Sequence, residues 1–260
     1  MTGVQTCALP IYNAVTGERT TRSDAVFAEI VATATASVYD RIAAAAARAG
    51  RNPSDITLVA VTKFNPPEAV QAAYAAGVRV FGENRVQEAE SKIIEIADTV
   101  PGAEFHMLGH LQSNKVKKAL PLFSCIQSID STALLVELEK RAASVNRYID
   151  VLLELHTGEE SKSGFPDPET LTGAMEEARN FGYVRLRGLM TMAPYTDDVG
   201  VVRGAFRSCA RLYDTIRERY ALPHFDTLSM GMTNDFEIAI EEGATMVRIG
   251  TAIFGQRVYR

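Results

Sequence analysis

The sequence predicts an α/β fold, a single (β/α)8 barrel with an extra helix at its N-terminus. Strand-like and helix-like segments alternate over about 200 residues, giving eight strands with a helix in each gap. No Gly/Ser-rich linker divides this core, so one domain over residues 23–260 accounts for it. The alternative is a doubly wound open sheet. Its GxGxxG fingerprint is missing after the first strand, which continues as TKFNPP at 62–67.

The chain is predicted to open with a tail and then a helix. Residues 1–22 show neither helical nor strand periodicity, and we interpret them as a disordered tail or as sequence foreign to the natural protein. Ser23 is placed to cap a helix that runs to about residue 49, because apolar residues recur there at helical spacing. Gly50 and Pro53 then end this helix.

Eight β-rich or apolar runs of strand length follow the first helix. They lie at 56–63, 78–83, 104–110, 125–130, 150–156, 184–191, 226–230 and 246–250. Helical patterns fill the gaps, at 66–76, 84–97, 113–120, 132–147, 168–181, 200–220 and 234–242. Strands that alternate with helices form parallel βαβ units, so all eight strands are expected to end at one rim, where barrel function collects.

Composition excludes several classes of partner. Hydrophobic residues make up 47% and charged residues 23% of the chain, which is ordinary for a globular protein. The net charge of -5 argues against nucleic acid and anionic membranes, because a phosphate surface requires clustered Lys and Arg. No apolar run reaches the length that spans a bilayer. We therefore expect neither a nucleic-acid nor a membrane partner.

The metal-ligating residue types are sparse and badly spaced for a metal site. Cys7, Cys125 and Cys209 are odd in number and lack CxxC spacing, so neither a zinc site nor a disulfide framework is predicted. A reducing cytoplasm is the expected compartment. His106 and His110 share a strand face but lie about 13 Å apart, too far to share one metal ion.

Lys63 is the most informative single residue, because it ends the first predicted strand. Period-two alternation puts it on the same face as Val59 and Val61. If that face is the barrel interior, the amine is partly desolvated and loses its proton more readily, and a neutral amine forms an imine with an aldehyde. A lysine that ends a strand and extends into solvent is the plainer alternative.

The ends of strands seven and eight suggest a phosphate site. Ser229 follows strand seven, and Gly250 and Thr251 follow strand eight, where barrels commonly bind phosphate on small residues and backbone N–H groups. Arg248 lies two residues before Gly250 and so faces the same side. Ordinary turn chemistry is the alternative. An imine-forming lysine together with a phosphate site suggests pyridoxal 5′-phosphate (PLP) as a cofactor.

Longer motifs point the same way and cover about residues 24–258. They are LVAVTK at 58–63, FGENRVQEA at 81–89, FHMLGHLQSNK at 105–115, QSID at 127–130, ESKSGF at 160–165, GLMTMAP at 188–194, LSMGMTNDFEIAI at 228–240 and MVRIGTAIFG at 246–255. With these motifs in this order and spacing, the chain resembles the pyridoxal-phosphate homeostasis protein family.

This resemblance implies a barrel similar to the N-terminal domain of alanine racemase, with PLP held as an internal aldimine on Lys63. The other implied cofactor contacts match family positions residue by residue. They are Ser229, Gly250 and Thr251 at the phosphate, Arg248 near the phosphate and ring, Asn84 of the GEN motif on the cofactor side, and Met230 where the family packs its cofactor. Members are thought to bind, store and deliver PLP, and no robust turnover is attributed to them.

The fifth strand and the loop after it depart from this pattern. His156 stands where many members carry an Asn, and residues 1–22 match nothing in the family. In the loop, Glu159 and Glu160 are candidate acid/base groups and Lys162 a candidate second amine, although solvated loop charges account for them as well.

Three functions compete at this point. The first is a non-catalytic PLP carrier, which we predict to be a cytoplasmic monomer that delivers PLP to apo-enzymes. The second is a PLP-dependent amino-acid racemase. Barrel racemases add a C-terminal β-domain with a second base, whereas this chain ends at Arg260, so we expect that base to be missing. The third is a cofactor-free enzyme in which Lys63 forms a Schiff base with a phosphorylated substrate, as in class I aldolases.

Overall fold

Eight parallel strands close into one barrel, as the sequence predicts. The structure is a computed structural model that describes residues 21–157, 163–222 and 224–256. Each strand pairs with its neighbours in sequence, and the eighth pairs with the first. The strands are β1 Thr57–Val61, β2 Val80–Glu83, β3 Glu104–Met107, β4 Cys125–Ile129, β5 Ile149–Leu155, β6 Val184–Thr191, β7 Thr227–Ser229 and β8 Met246–Ile249.

One helix precedes the barrel, and a helix follows every strand. The helices are α1 Thr21–Arg48, α2 Pro67–Ala75, α3 Val86–Ile96, α4 Val116–Ala119, α5 Thr132–Ser144, α6 Pro168–Ala178, α7 Val199–Tyr220, α8 Phe236–Glu241 and α9 Thr251–Phe254. Two short 3₁₀ turns, Pro53–Asp55 and Ser113–Lys115, complete these elements. No helix among the described residues is long and apolar enough to cross a membrane.

Three details differ from the sequence-based expectation. α1 already begins at Thr21, so Ser23 lies inside the helix and its predicted capping role is wrong. Residues 1–20 of the predicted tail, together with Glu159, Glu160 and Lys162, lie outside the described residues. Several strands are shorter than predicted, because the ladder ends where the chain turns away from its neighbour. β1 stops two residues before Lys63.

Strand residues alternate between two separate cores. On β1, Leu58 and Ala60 pack in the main hydrophobic core under the helices, whereas Val59 and Val61 point to the other side, into the barrel. A smaller apolar cluster of Cys125, Leu152 and Met190 fills part of that interior. The structure therefore confirms that the Val59 and Val61 face is the inner one.

β6 contains a bulge that depends on a glycine. Pairing with β5 shifts so that Leu186 opposes Val151 and Gly188 opposes Leu152, which leaves Arg187 as the extra residue. A Cβ built on Gly188 would lie 1.6 Å from the backbone oxygen of Thr227 on β7. No side chain fits there unless the backbone moves.

We expect Gly188→Ala to lower the free energy of unfolding by about 3 kcal/mol, because β6 and β7 must separate to admit the methyl group. Gly173 is the matched control, since it lies inside α6 with nothing within 4 Å of its added Cβ. Gly173→Ala should raise stability by roughly 0.5–1 kcal/mol through helix propensity. Urea unfolding followed by circular dichroism measures both, and equal stabilities for the two variants would contradict the assigned bulge.

Candidate functional site

The residues predicted to bind a cofactor lie on four adjacent strands, β7, β8, β1 and β2. They are Lys63, Asn84, Ser229, Met230, Arg248, Gly250 and Thr251. All of them lie in, or just after, the carboxyl ends of those strands. The barrel thus collects residues far apart in sequence at one sector of its rim.

Lys63 lies in a tight turn and not at the end of a strand. The backbone N–H of Asn65 donates to the carbonyl of Thr62 at 3.0 Å, so Lys63 and Phe64 are the central residues of the turn. Phe64 has φ 62, in the left-handed region that a turn of this kind usually gives to glycine. For a residue with a Cβ this conformation costs roughly 1–2 kcal/mol. The strain falls beside the half-buried candidate amine, and such strain clusters at functional sites.

A chain of four polar side chains crosses the inside of the barrel. Arg248 Nη1 donates to Ser229 Oγ at 2.7 Å, and Ser229 Oγ donates to Gln127 Oε1 at 2.7 Å. Gln127 Nε2 then lies 2.8 Å from His106 Nδ1. With Gln127 as the donor, His106 accepts at Nδ1 and carries its proton on Nε2, which faces Glu104 at 3.8 Å. The four residues Arg248, Ser229, Gln127 and His106 are called the interior chain below.

Arg248 is the charged end of the interior chain that lies nearest the rim. Its side chain is buried, and its Nη2 donates to the carbonyl of Thr191 at 2.8 Å. Burial lowers the pKa of Arg248 to about 10, and the charges of Glu154 and Asp235 oppose that shift. The guanidinium therefore keeps its positive charge at neutral pH.

Ser229 is committed to the interior chain. Its residue is fully buried, and its one hydroxyl proton points to Gln127. A phosphate oxygen needs a donor, so the predicted phosphate contact of Ser229 requires that proton to leave Gln127. That contact stays a prediction.

Thr233 is a hydroxyl that the sequence-based reasoning missed. It lies in the loop after β7, half-buried, and its Oγ1 accepts from the backbone N–H of Ala252 in α9 at 3.3 Å. No hydrogen bond among the described residues uses its own proton. The signal was present in the sequence, since Thr233 belongs to the same LSMGMT run as Ser229.

Gly250 and Thr251 bring the start of α9 close to β1. A Cβ on Gly250 would lie 3.1 Å from the carbonyl oxygen of Val61, so only a very small residue fits comfortably. α9 begins at Thr251, and Gly250 has no side chain to cap it. The N–H of Ala252 is taken by Thr233 and that of Ile253 by the carbonyl of Gly250.

Met230 and Asn84 have contrasting surroundings. Met230 is fully buried in the main hydrophobic core, on the opposite side of the β7 backbone from Ser229, so its cofactor contact stays a prediction that its packing does not favour. Asn84 is half-buried just after β2, and its Oδ1 is a buried acceptor with no hydrogen-bond partner. An unsatisfied buried acceptor costs about 1–3 kcal/mol, so Asn84 is the residue whose geometry best fits a ligand contact.

The histidines of the described residues do not come together at one place in the barrel. His106 lies inside the barrel, whereas the exposed His110 binds Asp130 Oδ2 through Nδ1 at 2.7 Å and ties together the loops after β3 and β4. His156 is half-buried after β5, where its backbone N–H bonds to the carbonyl of Phe165 at 3.0 Å. Within the described ranges, no group of three or more His, Cys, Asp or Glu could hold a metal ion.

Residues 35–258 match the family model described as the N-terminal domain of alanine racemase. A pyridoxal phosphate homeostasis protein of Aquifex aeolicus is 43% identical over 224 residues, which is 85% of this chain and 96% of the relative. The chain belongs to the pyridoxal phosphate homeostasis protein family. The member from Escherichia coli is 42% identical over 229 residues, or 86% of this chain and 95% of its own.

Solved structures agree with this membership. PipY of Synechococcus elongatus, a structure with PLP bound, aligns with a TM-score of 0.74 at 35% identity, over 84% of this chain and all (100%) of PipY. Alanine racemase of E. faecalis aligns with a TM-score of 0.64 at 18% identity, over 86% of this chain and 58% of the racemase. The second likeness concerns the fold alone, and it confirms the expected alanine racemase type of barrel.

We expect Ser229→Ala to lower the stability of the ligand-free protein by about 1–3 kcal/mol, because it leaves Gln127 Oε1 and an Arg248 N–H buried without their partner. Ser208 is the matched control, an exposed serine on α7 that only bonds back to the carbonyl of Gly204. Urea unfolding of Ser229→Ala and Ser208→Ala gives the comparison. A Ser229→Ala protein as stable as the control would contradict the interior chain.

Proposed function

We propose that the chain binds PLP covalently and reversibly through Lys63, holds it, and releases it to apo-enzymes without robust turnover of its own. One observation carries the proposal: the half-buried Lys63 lies in a strained turn just after β1, and β1 pairs with β8, the strand that leads into α9. Membership of a family whose relatives are named for PLP homeostasis, one of them solved with PLP bound, supports PLP as the cofactor.

The residues at the rim fit PLP group by group. Lys63 supplies the amine, and the unpaired Oδ1 of Asn84 is an acceptor for a donor on the cofactor. Arg248 supplies a fixed positive charge below the rim. The missing side chain of Gly250 lets the start of α9, where the phosphate is proposed to lie, pack close to β1. When bound, PLP would supply an aldehyde, the group that the neutral amine of Lys63 would hold covalently with loss of water and release again on hydrolysis.

The phosphate is proposed to lie against the start of α9. The candidate contacts there are Gly250 and Thr251, with Ser229 as expected from the sequence and Thr233 as added by the structure. Thr233 supports this assignment better than Ser229, because its proton is not committed to the interior chain.

A racemase activity is not favoured, because the curated relatives are named for homeostasis and not for an enzyme. We propose that the protein lacks robust catalysis, acts as a monomer in the cytoplasm and uses neither nucleic acid nor membranes. Two buried free thiols, Cys125 and Cys209, support a reducing compartment. Burial raises the pKa of Cys209 to about 12, so this thiol is chemically inert at neutral pH.

We expect Lys63→Ala to keep the fold and to lose the covalent bond to PLP. The substitution removes a side chain that lies outside the main hydrophobic core, so the free energy of unfolding should change by less than about 1 kcal/mol. Absorbance spectra before and after borohydride, with mass spectrometry of the Lys63 peptide, measure the bond. A pyridoxyl adduct should form on Lys63 of the wild type. An unchanged spectrum in the variant would refute the anchor.

The phosphate contact is tested by comparing PLP with pyridoxal, which lacks the phosphate. Thr233→Val is expected to weaken PLP retention about tenfold with little effect on pyridoxal, because one hydrogen bond to a charged phosphate is lost. Ser229→Ala should also weaken PLP retention if its hydroxyl turns to the phosphate. Equal PLP affinity in Ser229→Ala and wild type would remove Ser229 from the site, and the same result for Thr233→Val would remove Thr233.

A further inference from the structure

A buried ion cluster lies directly behind the turn that carries Lys63. Glu83 ends β2 and is fully buried, and Lys92 of α3 is only 4% exposed. The Nζ of Lys92 lies 2.7 Å from Glu83 Oε1 and 3.3 Å from Glu88 Oε1. These three residues, Glu83, Glu88 and Lys92, are called the ion cluster below.

The ion cluster forms hydrogen bonds with the residues on both sides of Lys63. On the near side, Lys92 Nζ donates to the carbonyl of Thr62 at 2.8 Å, while the Thr62 hydroxyl donates to Glu83 Oε1 at 2.6 Å. On the far side, Glu88 Oε1 accepts the backbone N–H of Phe64 at 2.5 Å. The residues before and after Lys63 are therefore both tied to the same charged group.

These ties act on a strained conformation. Phe64 holds a positive φ that its side chain disfavours, so the turn needs external contacts to persist. The guanidinium of Arg85 adds one such contact, 5.1 Å from the centre of the Phe64 ring. Without the ion cluster we expect the turn to relax and the backbone of Lys63 to shift.

General stability does not account for the ion cluster. A buried ion pair is often replaceable by apolar residues without loss, because desolvation offsets the attraction between the charges. Burial raises the pKa of Glu83, and Lys92 is the largest influence that opposes this. All three N–H donors of the Lys92 ammonium make hydrogen bonds, and one of them goes to the backbone carbonyl of Thr62, next to Lys63.

We propose that Glu83, Glu88 and Lys92 are positioning residues that hold Lys63 in place to bond an aldehyde cofactor at the rim of the barrel. The inference rests on the proposed function, since it takes Lys63 as the covalent anchor. It adds three residues that touch no cofactor and act only through the 62–65 turn.

The test separates covalent from non-covalent binding with two ligands. PLP can bond to Lys63, whereas pyridoxine 5′-phosphate carries an alcohol in place of the aldehyde and cannot. Glu88→Ala removes the acceptor of the Phe64 N–H, and we expect PLP affinity to fall about tenfold while pyridoxine 5′-phosphate affinity stays within about twofold. Glu88→Gln keeps an acceptor oxygen and should bind both ligands like the wild type.

A second substitution tests whether the turn is the link. Glycine adopts a positive φ freely, so Phe64→Gly in the Glu88→Ala background should restore much of the PLP affinity. Glu95 lies exposed on the same helix, and Glu95→Ala serves as the matched control. Lys92→Met should act like Glu88→Ala but more strongly. Lys92→Met leaves the buried Glu83 without its partner, so the unfolding curve of this variant is measured to show any loss of folding. The test itself therefore rests on the Glu88 variants.

Every outcome of these binding measurements either supports or overturns the positioning role. An equal loss of both ligands in Glu88→Ala would show a merely structural role and overturn the inference, as would a failure of Phe64→Gly to rescue PLP binding. If Lys63→Ala lowers the ratio of PLP to pyridoxine 5′-phosphate affinity but Glu88→Ala does not, only the inference fails. If Lys63→Ala leaves that ratio at the wild-type value, the proposed anchor itself fails.

Discussion

The pairing of β8 with β1 is the constraint on which the site depends. Its register sets Val59 beside Arg248 and Ala60 beside Ile249, so the next residues along, Val61 and Gly250, also come together. This pairing brings the segment that leads into the Lys63 turn next to Gly250, almost 190 residues later in the sequence. A slip of one residue would turn Arg248 from the interior toward the helices and remove it from the rim.

The interior of the barrel is unusual in what fills it. Barrel interiors are commonly packed with layers of Val, Ile and Leu. Here the buried interior chain from Arg248 to His106 takes much of that place, next to the small apolar cluster of Cys125, Leu152 and Met190. Each residue of the interior chain forms a hydrogen bond with the next, so its polar groups are buried with their partners. The same hydrogen bonds couple residues on four strands.

The sequence was enough for the architecture and for the candidate site residues to be expected at the carboxyl ends of the strands. Alternating patterns predicted the eight strands, and alternation along β1 put Val59 and Val61 on one face, which the structure shows to be the inside of the barrel. It could not show that the chain turns after Thr62, because a positive φ at Phe64 leaves no mark in a sequence without glycine there. The burial of Glu83 and Lys92 could not be predicted either, since it depends on α3 packing over β2. The commitment of the Ser229 hydroxyl depends on Gln127, a residue 102 positions away.

The interior chain also joins two ends of the molecule. Every hydrogen bond in it runs in one direction, from Arg248 near the rim toward His106, which faces Glu104 at the start of β3. A change in what Arg248 contacts alters the polarisation of each bond after it. The nuclear magnetic resonance frequencies of the His106 ring nitrogens should therefore depend on the charges that contact Arg248. They offer a measurement of the electrostatics at the rim that needs no probe at the site itself.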